Sequence, residues 1–203
     1  MTGYVELNLL EMVEQLGENV VNNILSNFLC PLNPDVEDFL KRNAILFSKQ
    51  GISSTYLIFA SYKEEPVLVG YYTLANKFIT VYKENLKSKN LQRRINKFAQ
   101  FDKDLKRYTL SAPLIGQLGK NYANNYNKLI TGDELLKFAL DRVKKIQQML
   151  GGKIVYLECE EVQCLTDFYN SNGFVDFGRR EKEKDELSSH PGKNYIQLLK
   201  YIK

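Results

Sequence analysis

Two short stretches carry residue types that suit a chemical site. The first is Lys128-Leu129-Ile130-Thr131-Gly132-Asp133, which leads into an amphipathic stretch from Asp133 to Leu150. A helix opened by Gly132 presents free backbone N–H groups and the positive end of its dipole, which favours an anion. Two readings fit that loop. One is an ordinary strand–helix–strand unit with a glycine at a helix start, which is common. The other is a phosphate-binding site for a nucleotide-like cofactor. The second stretch is Phe168-Tyr169 followed after three residues by Gly173-Phe174. Taken alone, it is an aromatic pair packed in a core beside a helix-stopping glycine.

A third group is electrostatic. Lys83, Lys87, Lys89, Arg93, Arg94, Lys97, Lys103, Lys106 and Arg107 crowd one segment, opposed there only by Glu84, Asp102 and Asp104. The net charge of the 203 residues is only +4, so the clustering matters more than the total. A basic stripe of this kind marks a nucleic-acid footprint, or a solvated helix face with a charged linker. The chain has one histidine, His190, read as solvated in a polar loop, so a zinc site or a Ser-His-Asp triad is not expected. No metal is expected. Cys30, Cys159 and Cys164 are odd in number, and Met1 to Leu10 lacks a basic patch followed by an apolar stretch. Reduced thiols in a cytoplasm are the expectation. No apolar run is long enough to span a bilayer, and no membrane association is expected.

The elements that must position these residues follow from periodicity and punctuation. Leu9, Leu10, Val13 and Leu16 have helical spacing, continued by Val20, Val21, Ile24 and Leu25, with a short strand near Ile24 to Leu29 as an equal alternative. Asn33-Pro34 starts the next helix, which Gly51 stops. Thr55–Tyr62 and Val67–Leu74 read as an antiparallel hairpin turning at Lys63–Pro66, and the second strand continues through Phe78–Val81. Leu91, Ile95 and Phe98 give Glu84–Tyr108 a helical face, so that basic segment reads as a helix inserted between strands. Leu114–Leu118 is a strand, Gly119–Ile130 a polar loop, Asp133–Leu150 a long helix and Lys153–Glu158 a second strand. A strand–helix–strand crossover makes those two strands parallel. Val175–Phe177 is a short strand, Arg179 to Asn194 a charged loop, and Tyr195–Tyr201 the last strand. No linker or repeat divides the chain, so 1–203 reads as a single domain with a basic helical insertion near 84–108.

This order, closed by Phe168-Tyr169 and Gly173-Phe174, resembles the GNAT N-acetyltransferase superfamily over nearly the whole chain. Phe28, Cys30, Phe39-Leu40, Ala44, Gly51, Thr55-Tyr56, Val69-Gly70-Tyr71-Tyr72 and Pro113 to Leu118 resemble the branch containing toxins that acetylate aminoacyl-tRNA. The resemblance implies an α/β (α+β) fold. It has a mixed central sheet of six to seven strands with flanking helices, the fourth and fifth strands parallel and splayed. It also implies acetyl-CoA as cosubstrate, held by Gln117, Leu118 and Gly119 along the pantetheine arm and by Lys128, Leu129, Ile130, Thr131, Gly132 and Asp133 at the pyrophosphate. Tyr169 is then the general acid that protonates the coenzyme A thiolate. The chain departs from the family at three points: Asn127 replaces the usual Gln or Arg, Ile130 replaces the first glycine, and Val162 stands where many members carry asparagine.

The expected activity is acetyl-CoA-dependent N-acetylation of a primary amine on a small molecule, a peptide or aminoacyl-tRNA, with nucleic acid contacted through 83–107. A non-catalytic module that binds coenzyme A or a partner is the third reading, and a homodimer is left open. No general base is apparent; Glu158 and Glu160 lie near the expected site, and the α-amino group of an aminoacyl ester is less basic than a lysine.

Overall fold

The computed structural model describes residues 3–181 and 194–202. In chain order it holds β1 (Tyr4–Asn8), α1 (Leu9–Leu16), α2 (Glu18–Ser26), α3 (Pro34–Asp38), a π-helical turn (Phe39–Asn43) and α4 (Ala44–Lys49). Then come β2 (Ser54–Tyr62), β3 (Glu65–Tyr82), α5 (Lys89–Ile95), β4 (Gln100–Asp102) and β5 (Arg107–Lys120). The chain closes with α6 (Gly132–Leu150), β6 (Ile154–Glu160), α7 (Gln163–Ser171), β7 (Val175–Glu181) and β8 (Asn194–Tyr201). The strands are hydrogen-bonded in the order β1-β2-β3-β5-β6-β8-β7, with β4 on β5. Eight strands therefore stand where six to seven were expected, because β1 and β4 escaped the sequence reading. The parallel pair is the fifth and sixth strand, not the fourth and fifth. Among the described residues no helix is long and apolar enough to cross a membrane.

By its contacts the chain divides into two compact units. The first comprises Met1–Ala75 and Gly116–Asp141. The Asn8 side chain caps α1 by accepting from the Leu10 and Glu11 amides at 2.9 and 3.2 Å. Gly17, at φ 82°, separates α1 from α2, so the apolar period that runs through both reflects two helices and no strand at Ile24–Leu29. Asn33 caps α3 by accepting from Asp35 and Val36, as its sequence suggests. Leu9, Val21, Leu25, Phe28, Leu40, Ala44, Leu57 and Tyr71 belong to one buried cluster. Lys63 and Glu64 take φ 51° and 70°, the left-handed pair that a two-residue hairpin turn requires. The turn is therefore shorter than Lys63–Pro66, and β3 already starts at Glu65.

The second unit comprises Asn76–Ile115 and Arg142–Lys203. Here β6 and β8 run antiparallel over Ile154↔Tyr201 to Glu160↔Tyr195, and β7 pairs the other edge of β8. β5 and β6 run parallel with a register of two pairs only, Leu114↔Tyr156 and Ile115↔Leu157. So short a ladder is what splayed strands produce. The basic segment is not one helix. α5 ends at Ile95, Gln100–Asp102 pairs with Arg107–Thr109, and β5 begins at Arg107. Phe98, counted into the helical face, instead stacks near Tyr201 at 6.5 Å. Ile79, Val81, Leu86, Ile95, Leu110, Tyr156, Phe177 and Leu199 belong to this unit's core. The charged loop read over 179–194 falls mostly on 182–193, which with His190 lie outside the described residues; Arg179–Glu181 belong to β7 and Asn194 to β8.

Candidate active site

The expected cofactor residues lie in the first unit. Gln117 and Leu118 are half-buried near the end of β5, and Gly119 is buried. A Cβ at Gly119 would stand 2.4 Å from Val36 Cγ1 and 3.4 Å from both Phe28 Cζ and Tyr71 Cε1. Only a residue without a side chain lets β5 pass that cluster. The next residue ties the strand to the loop: Lys120 Nζ donates to the carbonyls of Asn127 at 3.1 Å and Ile130 at 3.3 Å. Asn121, buried, clips the same corner by donating to Leu68 O and accepting from the Leu29 and Ala123 amides. From β1, Tyr4 donates to Leu129 O at 2.8 Å.

Ile130, which replaces a glycine of the usual pattern, is 2% exposed and anchors the loop in the core. The loop takes its left-handed residues earlier, at Asn124 and Asn125, φ 49° and 62°. Thus Ile130 meets no backbone demand that needs glycine. Thr131 begins α6 with a capping box: the Thr131 N–H and hydroxyl both donate to Glu134 Oε2 at 2.8 Å, and the Glu134 N–H donates to Thr131 Oγ1 at 3.1 Å. These bonds hold the Glu134 carboxyl below the usual carboxylate range. The loop donors thus converge on a carboxylate of the chain itself. Lys120, Tyr4 and Glu134 were missed from sequence. Thr131-Gly132-Asp133-Glu134 is nevertheless a readable capping-box pattern.

Tyr169 lies in the second unit, late in α7. It is 8% exposed, with Phe168 and Phe174 edge-on at 5.0 and 5.7 Å. Gly173, at φ 78°, ends the helix and turns Phe174 back, with its N–H on Tyr169 O at 3.0 Å. Burial, with a smaller contribution from Cys159, pushes the phenol well above its ordinary pKa. Its hydroxyl makes no hydrogen bond among the described residues. Of the two carboxylates considered as bases, Glu158 accepts from Arg180 Nε at 2.7 Å and Gln197 Nε2 at 2.8 Å. It is a structural anion that joins β6, β7 and β8.

The basic segment, also in the second unit, is drawn together at Lys83. The Lys83 N–H donates to Lys106 O at 2.9 Å, and Gln92 Nε2 donates to Leu86 O at 2.7 Å. Lys83, Lys87, Lys89, Arg93, Lys97, Lys103 and Lys106 are exposed. Arg94 stacks on the Tyr201 ring at 4.7 Å and Arg107 is ion-paired to Asp102 at 3.7 Å. Among the described residues no cluster of three or more His, Cys, Asp or Glu is arranged to hold a metal ion.

No protein-family profile and no curated protein sequence matches the chain. Solved structures do. AtaT complexed with acetyl-methionyl-tRNAfMet is similar over 96% of this chain and 94% of its own, at 16% identity and TM-score 0.63. A tyrosine-to-phenylalanine mutant of KacT is similar over 96% and 93%, at 15% identity and TM-score 0.62. AtaTR bound with acetyl-CoA is similar over 97% and 91%, at 15% identity and TM-score 0.57. These likenesses span almost the full length on both sides. With the mixed sheet and its parallel β5–β6 pair, they show that the chain has the GNAT fold.

Proposed function

We propose that the chain is an acetyl-CoA-dependent N-acetyltransferase, acting as a single domain over 1–203, whose acceptor is the amino group of aminoacyl-tRNA. The observation that carries the reading is its likeness over 96% of its length to AtaT in complex with an acetylated aminoacyl-tRNA. The AtaTR structure with acetyl-CoA supports the cosubstrate, and the donors of Thr131 suit its pyrophosphate. The exposed cations around Lys83 support an acceptor rich in phosphates.

Acetyl-CoA supplies the activated acetyl thioester. The residues of this chain bind and move protons around it. Gln117, Leu118 and Gly119 line the pantetheine arm, and a backbone N–H near Leu118 polarises the carbonyl. Lys128 to Asp133 hold the pyrophosphate through backbone amides, which do not depend on side-chain identity. Holding the amine against the thioester supplies rate by proximity. Tyr169 gives its hydroxyl proton to the departing thiolate. Arg180 and Gln197 hold Glu158 in a structural role, and the low basicity of an aminoacyl α-amine removes most of the need for a base.

The test is an acetyl-transfer screen with mass detection, offering charged tRNA, peptides and polyamines in parallel. The expected product is an acetylated aminoacyl group on tRNA. Transfer to peptides or polyamines alone would keep the N-acetyltransferase and replace the acceptor. No transfer, with acetyl-CoA still bound, would leave a non-catalytic coenzyme A-binding module.

A further inference from the structure

The C-terminal turn of α7 is closed from outside the helix. Within the turn, the Asn172, Gly173 and Phe174 N–H groups donate to the carbonyls of Phe168, Asn170 and Tyr169 at 3.2, 2.9 and 3.0 Å. The Asn172 carbonyl is met from β8, where Lys200 Nζ donates to it at 2.6 Å. The same ammonium lies 5.7 Å over the ring of Phe174, which packs edge-on against Tyr169, also at 5.7 Å. Among the described residues Lys200 pairs with no carboxylate. It is half-buried, and desolvation lowers its pKa. A half-buried ammonium without a counter-ion is costly, and an apolar side chain would cover the same sheet face at less cost. What a neutral side chain does not supply is a charge-assisted bond at the negative end of a helix.

We propose that Lys200 is the positioning residue of Tyr169: from β8 it clamps the Asn172 carbonyl and the Phe174 ring, and so fixes the phenol that α7 carries. The proposal rests on the general-acid reading of Tyr169 given above. With no hydrogen-bond partner for the hydroxyl among the described residues, packing against Phe168 and Phe174 directs the phenol. Lys200 holds both the Phe174 wall and the backbone turn behind it. β8 is hydrogen-bonded to β6 on one side and β7 on the other, so the clamp ties the end of α7 to the sheet of its own unit. A proton donor displaced by about 1 Å can cost about a hundredfold in rate.

Steady-state kinetics on the wild type, Lys200→Met, Tyr169→Phe and the double variant test this, with acetyl-CoA and with charged tRNA, peptides and polyamines as acceptors. Methionine keeps most of the stem and removes the charge and the donor. Lys200→Met should lower kcat about tenfold and leave KM for acetyl-CoA unchanged. In the Tyr169→Phe background the same substitution should change kcat by less than about twofold, since the side chain it positions has already lost its proton. Amide hydrogen exchange at Gly173 and Phe174 should be faster in Lys200→Met than in the wild type. Cooperative melting controls for folding, and Lys200→Gln takes the place of a methionine variant that does not fold. With Tyr169→Phe slow, an equal loss of kcat from Lys200→Met in both backgrounds, or no loss in either, would overturn the positioning role and leave Tyr169 as the acid. Unchanged exchange at both amides would do the same. A Tyr169→Phe variant as active as the wild type would overturn the general acid, and absence of transfer to all three acceptors would overturn the acetyltransferase; each would take this proposal with it.

Discussion

Tyr169, the proposed general acid, and Glu158, weighed as a base, sit in different surroundings. The phenol of Tyr169 is walled by Phe168 and Phe174, and burial raises its pKa. The shift weakens the acid but guarantees that the proton is present. Because the folded value lies above the ordinary phenol value of about 10, no limb from Tyr169 should appear in a kcat–pH profile below that pH. Tyr169→Phe removes only the hydroxyl, so acetyl-CoA affinity should hold while kcat at saturating acceptor falls about 10²–10⁴-fold. An unchanged kcat would reduce Tyr169 to a packing residue. Glu158 behaves differently. Its bonds to Arg180 and Gln197 are charge-assisted and partly shielded from water. Glu158→Ala should therefore lower the unfolding free energy by about 1–3 kcal/mol, read by denaturant titration, with a pH–rate profile of unaltered shape. Loss of an acidic limb would instead mark Glu158 as the base. The turn that holds Tyr169 was legible in sequence because a short phrase with a fixed spacing, Phe168-Tyr169 and Gly173-Phe174, carries it. The fate of Glu158 was not, since its partners lie 22 and 39 residues further on.

At the scale of elements, strongly periodic stretches were read correctly and tertiary pairings were not. α6 and its Gly132 start, β6, and the turn at Gly173 follow from apolar period and glycine placement, and each stands where sequence puts it. β1 and β4 are five and three residues long, too short for period-two alternation to stand out. The segment before β5 misled for a physical reason. Leu91 and Ile95 do lie on a helix, but the charged residues that follow give no apolar pattern. The strand pairing at Gln100–Asp102 is set instead by hydrogen bonds to Arg107–Thr109. The loop after β5 shows the same division. It departs from the usual glycines, yet Ile130 packs inward and Lys120, Tyr4 and Asn121 tether it. Gly119 is the critical point of that corner. Gly119→Ala would press a methyl group onto Val36 Cγ1, currently 2.4 Å from that position. Overpacking of this kind costs about 1–3 kcal/mol, so the melting temperature should fall. An unaltered melting temperature would mean that α3 moves aside freely.

The division of the whole chain into two compact units left no mark in the sequence, because β3, β5 and α6 each continue from one unit into the other. A boundary inside a strand or helix brings no glycine-rich linker and no change of composition. The distribution of charge, in contrast, was legible at once: a net charge of +4 hides a dense basic segment, and most of its cations are exposed. Two of them are already engaged, Arg94 with Tyr201 and Arg107 with Asp102. Of the seven exposed cations, four that span the segment, Arg93, Lys97, Lys103 and Lys106, are the ones to reverse. If they neutralise phosphates of tRNA, each releases counterions, and log affinity falls with log salt by about 0.7–0.9 per contact. Changing all four to glutamate should weaken tRNA binding and reduce the magnitude of that slope by about three. Acetyl-CoA affinity, measured on the same preparations, should stay constant, because these stretches contribute no residue to the 128–134 loop. The decisive measurement is a salt titration of tRNA binding by the wild type and the reversed variant side by side. Parallel lines would assign the segment to solvation and leave peptides or small amines as the acceptor. A wild-type slope steeper by about three, with acetyl-CoA binding intact, would place the phosphate contacts on α5, the turn after it and the β4–β5 turn.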